Sequence, residues 1–158
     1  MMRSWFFAGL LCLGSNLGAQ PLQPGVQLGM NVAELRQALP SIEPVHRPER
    51  LAGGLSGSWR MENGELAGLT GAQVFFFGGG RLRRVEFQVE SASDAAFEQL
   101  LAWGRQQYGP ERPAQDAVSR YAAWSTPETD IYLRLLTSSR PGLSLVTSAR
   151  PPRDDRAL

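Results

Sequence analysis

The chain has 158 residues, with 16 basic against 15 acidic side chains, 42% hydrophobic content, one Cys and one His; every basic residue is Arg. This near-neutral charge gives no field for holding nucleic acid, and the hydrophobic content is sufficient for a folded core. A single Cys excludes a disulfide framework and any multi-Cys metal site.

Residues 1–19 read as a secretory signal. Arg3 is the charged start, Trp5 to Leu13 the apolar run, and Gly14, Ser15, Gly18 and Ala19 the small-residue exit, with cleavage expected after Ala19. The run is shorter than the roughly 20 residues a spanning helix needs. Leu11 precedes Cys12 where a lipoprotein signal wants a small residue, so acylation is not expected. Removing the segment takes away Arg3 and Cys12, leaving equal numbers of basic and acidic residues and no thiol. The expected address is the periplasm or the exterior, with no membrane segment in the mature chain.

Residues 20–27, with Pro21, Pro24 and Gly25, read as an exposed lead-in. A first helix follows. Asn31 and Glu34 form a capping box, Met30 can staple onto Leu35, Val32, Leu35, Ala38 and Leu39 share a face, and Pro40 stops it. Residues 40–58 are punctuated by Pro and Gly and read as irregular. A strand is expected over Ser58 to Glu62, with a tight turn at Asn63-Gly64 and a partner strand over Glu65 to Leu69. Gln73 to Phe77 and Leu82 to Glu90 are the clearest strands, joined through Gly78, Gly79 and Gly80. Strict alternation in the second places Arg83, Val85, Phe87 and Val89 on one face and Leu82, Arg84, Glu86, Gln88 and Glu90 on the other. The second helix starts at a Ser93 cap, carries Phe97, Leu100, Leu101, Gly104 and Tyr108 on one face, and closes at Gly109-Pro110. Beyond a polar loop, Arg120 to Ser125, Asp130 to Leu136 and Gly142 to Ser148 read as strands, and Ala149 to Leu158 as a disordered tail.

Both halves run helix, irregular loop, Trp-containing strand and two further strands. The expected fold is therefore α+β: one domain over 20–148, built from helix-plus-antiparallel-meander units at 28–90 and 91–148. The units share or pack their sheets, with the helices on one face.

Two segments carry a resemblance. Gly29-Met30-Asn31-Val32-Ala33-Glu34-Leu35 and the downstream Val74-Phe75-Phe76-Phe77-Gly78-Gly79-Gly80-Arg81-Leu82-Arg83-Arg84-Val85 resemble small exported proteins of one superfamily. It includes the outer-membrane small protein A of the β-barrel assembly machinery and the β-lactamase inhibitor protein. Its members carry a Gly-Met-Thr helix start, a Phe-rich strand end, a Gly turn and a strand opening with an Arg-Leu pair. The similarity covers residues 28–89 and recurs loosely over 93–148. It implies a fold and an interaction protein, and it supplies no catalytic residue.

Enzyme chemistry finds few candidates. His46 is the only imidazole and stands in a Pro-rich loop, no nucleophile elbow is present, and one His without a thiolate makes no usual zinc site. The acidic residues do not fall at calcium-loop spacing. Asp94 with Glu98, and Glu86 with Glu90, are the carboxylate pairs a glycosidase would need, but each is most simply a solvated face. Gly78-Gly79-Gly80 lacks the Lys of a phosphate loop. No cofactor and no metal are expected.

The binding candidates are Phe76, Trp103, Tyr132, Arg81 and Arg84. Phe75 and Phe77 share a strand face, so Phe76 takes the other, where a partner would cover an exposed ring. The sequence thus reads as a non-enzymatic exported protein that binds another envelope or secreted protein. The alternatives are a small-ligand or lipid carrier and, further off, an acid-residue hydrolase.

Overall fold

The computed structural model describes residues 22–151, so the expected signal segment and most of the expected disordered tail lie outside the described residues. Both helices are capped by side chains close to them in sequence. In helix α1 (Val32–Ala38) the Asn31 side chain accepts from the Glu34 N–H at 2.9 Å, and Glu34 accepts from the Asn31 N–H at 2.8 Å. This reciprocal box satisfies two donors that the first turn would otherwise leave unpaired. Ser93 caps helix α2 (Asp94–Tyr108) through the Ala96 N–H, and Gly109, with φ +83°, ends it.

The region read as irregular contains two short strands, β1 (Glu43–Pro44) and β2 (Arg50–Leu51), and a 3-10 turn over Ala52–Gly54. The long strands are β3 (Leu55–Leu66), β4 (Leu69–Gly78) and β5 (Arg81–Val89). After α2 come β6 (Arg112–Gln115), β7 (Ser119–Ser125), β8 (Thr129–Leu136) and β9 (Gly142–Ala149). All belong to one antiparallel sheet in the order β1-β3-β4-β5-β9-β8-β7-β6, with β2 also on β3. The meanders β3-β4-β5 and β7-β8-β9 are thus joined through the pairing of β5 with β9.

Three expectations about this region change. The hairpin after Trp59 turns at Ala67-Gly68 rather than at Asn63-Gly64. Both Ala67 and Gly68 adopt positive φ, as a two-residue reversal requires, whereas of the Asn63-Gly64 pair only Asn63 does. Asn63 lies in a register irregularity within a continuous β3, so Glu65 and Leu66 extend that strand instead of starting the next. In β5 the register slips beside Phe76 and Phe77: Phe75 faces Val85 but Phe77 faces Leu82. Leu82 consequently joins Val85 and Phe87 on the inner face, and Arg83 is left exposed. The lead-in is not wholly exposed either. Val26 is buried with Leu35, Phe75, Phe77, Leu82 and Val85, and the main chain clips onto β5 through Gly29 N–H to Leu82 O and Leu82 N–H to Met30 O, both 2.7 Å.

Both helices pack on the same face. Leu35 of α1 enters the cluster formed with Met61, Phe75, Phe77, Leu82 and Val85, and α2 buries Ala96, Phe97, Leu100 and Leu101 against Phe87 and the inner residues of β7, β8 and β9. Each fully buried Phe or Leu contributes about 1.5–3 kcal/mol relative to exposure, and this packing is what holds the seven-residue α1, which is too short to persist alone. Among the described residues, no helix is long and apolar enough to cross a membrane.

Candidate functional site

With both helices on one face, the other face of the sheet is covered by its own side chains. Three parallel rows cross it. The first runs Tyr121, Arg134, Ser144, Gln88, Ala72 from β7 to β4. The second runs Ala123, Tyr132, Val146, Glu86, Val74, Arg60 from β7 to β3. The third runs Ser125, Asp130, Ser148, Arg84, Phe76 from β7 to β4. Each step is one strand spacing, about 4.8 Å.

Phe76 lies on this face, as its alternation requires, but it is completely buried, which corrects the expectation of an exposed ring. Two local features explain it. A Cβ at position 57 would stand 3.0 Å from the ring, so Gly57 leaves the space the ring occupies, and the Arg84 guanidinium sits over the ring at 5.5 Å from its centre. Val74, Ala72 and Val146 are also buried here, beside the longer Arg60, Gln88 and Tyr132. The face is thus an apolar floor shielded by the stems of Arg, Gln and Tyr side chains, whose polar ends remain at the surface.

Those polar ends form a network. Arg84 donates to Glu86 at 3.1 Å, Gln88 donates to Glu86 at 3.5 Å, and Arg60 pairs with Glu62 and reaches Gln88 at 3.3 Å. Toward the β7 side, Tyr121 and Tyr132 stack with ring centres 5.4 Å apart and planes 20° from parallel. Burial and then the Tyr121 neighbour raise the Tyr132 hydroxyl above its ordinary pKa. Asp130 binds Ser125 and Arg150, both at hydrogen-bond distance; burial raises its carboxyl, but these two partners and the charges of Arg150 and Arg112 hold it below its usual range.

Of the five sequence-derived candidates, Phe76, Arg84 and Tyr132 meet on this face, with Phe76 in its floor. Trp103 does not: it is on α2, packed edge-on to Tyr108 at 6.0 Å. Arg81 is at the β4–β5 turn, donating to the Gly29 carbonyl at 3.3 Å and lining an open cleft of about 580 Å³ with Gln27, Met30, Glu34 and Gln37. Sequence reasoning missed Tyr121, Arg134 and Arg60. The signal was available in β8, where Tyr132 and Arg134 alternate with Ile131, Leu133 and Leu135.

The carboxylate pairs have structural partners. Arg120 donates to Glu98 at 2.7 Å and Asp94 at 3.2 Å while lying 4.3 Å over the Phe97 ring, which ties α2 to β7. Glu86 is held by Arg84 and Gln88. His46 is exposed. Ser119 donates to Asp116 at 2.8 Å and contacts the Tyr121 hydroxyl at 2.7 Å, but Ser119 is 2% exposed and closed off from the surface. Among the described residues, no three His, Cys, Asp or Glu side chains cluster so as to hold a metal ion. Compared with known proteins, the chain matches no family model, no curated protein and no solved structure.

Proposed function

We propose that this is an exported, non-enzymatic protein that binds another envelope or secreted protein through the helix-free face of its sheet. The observation that carries the reading is the composition of that face: a stacked Tyr pair and guanidinium groups, laid over a buried floor and spread across six strands. Tyr and Arg are the residues that concentrate binding energy in protein interfaces, and a rigid floor reduces the ordering cost of association.

The sheet edges favour the face over strand addition. Edge strand β6 carries Pro113, which has no N–H to donate, and β3 is flanked by β1 and β2 along part of its length and irregular beyond Met61. The clefts described on the molecule are open and mixed in polarity, which lends no support to a lipid carrier. On this reading the two halves are related helix-plus-meander units in the manner of the superfamily the sequence resembles, and residues 1–19 deliver the chain to the periplasm or beyond. The test is a photo-crosslinker at Tyr132 in the native cell, which is expected to capture one discrete protein, against Gln106 on the exposed side of α2, which is expected to capture none.

A further inference from the structure

We infer that the partner presents an acidic side chain to Arg134, so that this face recognises a carboxylate-bearing segment. The inference rests on the face being the binding surface and adds the partner's chemistry.

Arg134 is half-buried in the middle of β8, yet it makes no hydrogen bond or ion pair with any described residue. The other cations of the face are engaged: Arg84 with Glu86, Arg60 with Glu62, Arg150 with Asp130, and Arg112 with Ser125 at 2.9 Å. Arg134's register neighbours are Tyr121 and Ser144, hydroxyl-bearing and uncharged. Of the carboxylates around it, Glu90, just past the end of β5, is exposed and forms no ion pair with Arg134, and the other three already have partners. Asp116 is held by the Val118 N–H, Ser119 and Tyr121; Asp130 by Ser125 and Arg150; Glu86 by Arg84 and Gln88.

A guanidinium partly withdrawn from water, without its counter-charge, gains most from a carboxylate arriving from outside, where the planar fork can make two parallel hydrogen bonds. Arg84 reinforces the field. Its Nε is buried without a partner, and both it and Arg134 act electrostatically on Tyr132, which stands in the row between theirs. An acidic residue in an extended segment could thus meet Arg134 while its neighbours lie on the Tyr121–Tyr132 stack. A basic segment would meet the uncompensated charge of Arg134 and be disfavoured.

The probe is fluorescein-labelled, end-blocked hexaglutamate, with hexaglutamine and hexalysine as controls, read by fluorescence anisotropy at low salt. Selective binding of hexaglutamate is expected, weakened about tenfold by Arg134→Gln and much less by Arg140→Gln, which removes the same charge from an exposed turn. Equal losses in the two variants would reduce the effect to bulk charge and overturn the inference, as would hexaglutamate binding no better than hexaglutamine. Crosslinking from Tyr132 separates the two readings. A captured partner whose yield is unchanged by Arg134→Gln sinks the acidic chemistry and leaves the face standing, whereas no capture from Tyr132 sinks both.

Discussion

At the scale of single residues, the absence of Lys has a structural counterpart. Arg36 lies over Trp59 at 5.6 Å, Arg84 over Phe76 at 5.5 Å and Arg120 over Phe97 at 4.3 Å, three contacts that use a flat guanidinium as a lid on a ring. A compact ammonium covers less of a ring and lacks the separate in-plane nitrogens with which Arg120 reaches Asp94 through Nη1 and Glu98 through Nη2. Gln73 is the opposite case, a residue the core does not satisfy. It is 1% exposed on the inner face, between Met61 and Phe87, and neither amide atom has a hydrogen-bond partner among the described residues. A buried amide left unpaired costs about 1–3 kcal/mol, so Gln73→Leu should raise stability by an amount of that order. Urea unfolding would show it as a higher midpoint with an unchanged slope, and a lower midpoint would contradict the assignment.

At the scale of elements, α2 is seated by one missing atom. A Cβ at Gly104 would fall 2.4 Å from the Trp124 ring, whose Nε1 donates to the Gly109 carbonyl at 2.9 Å. Gly104→Ala should gain about 1 kcal/mol of helix propensity but lose about 1–3 kcal/mol to overpacking. With so close an approach to a rigid indole the steric loss outweighs the propensity gain, and a lower melting temperature is expected; a higher one would mean that α2 can slide on β7. Arg105, in the last turn of α2, donates to Glu111 beyond the helix end at 2.8 Å, and this hydrogen bond, ahead of the Glu111 backbone and the charge of Arg105, holds the Glu111 carboxyl down at about 2 from 4.5. A depressed acid stabilises fully above its unfolded pKa, so this contribution is present above about 4.5 and fades as pH falls toward 2. Glu111→Gln should therefore be less stable than the parent near neutrality and indistinguishable from it near pH 2, measured by urea midpoints across that range. A gap that persists into acid would rule the pair out.

Much at this scale is readable before folding. Asn31 with Glu34, Ser93 and Gly109 mark helix ends through short-range hydrogen bonds that lie within a few residues of one another. The turn after β3 is not readable in that way. Asn63-Gly64 has the better turn chemistry, but pairing with β4 places Gly64 opposite Gly71 and moves the reversal to Ala67-Gly68. The slip that turns Leu82 inward is likewise fixed by Phe75 and Phe77 on the neighbouring strand, not by β5 itself. The burial of Phe76 depends on Gly57 and Arg84, nineteen residues before it and eight after, brought together only by the pairing of three strands.

At the scale of the whole molecule, the sheet has two unlike faces. One is packed with apolar side chains against α1, α2 and the lead-in; the other carries its own shallow floor and ends in Tyr and Arg tips. The alternation of β8 announces both faces, but which strands stand side by side follows from the β5–β9 pairing, and that pairing assembles Arg84, Tyr132 and Arg134 into one patch. On the proposed function it is this patch, and not the helical side, that meets the partner. Site-specific photo-crosslinking in the native cell tests it most directly, with the probe placed in turn at Tyr121, Tyr132, Gln106 and Ala102. The first two positions should yield the same discrete adduct and the two α2 positions none. Adducts from α2 with none from Tyr121 or Tyr132 would contradict it.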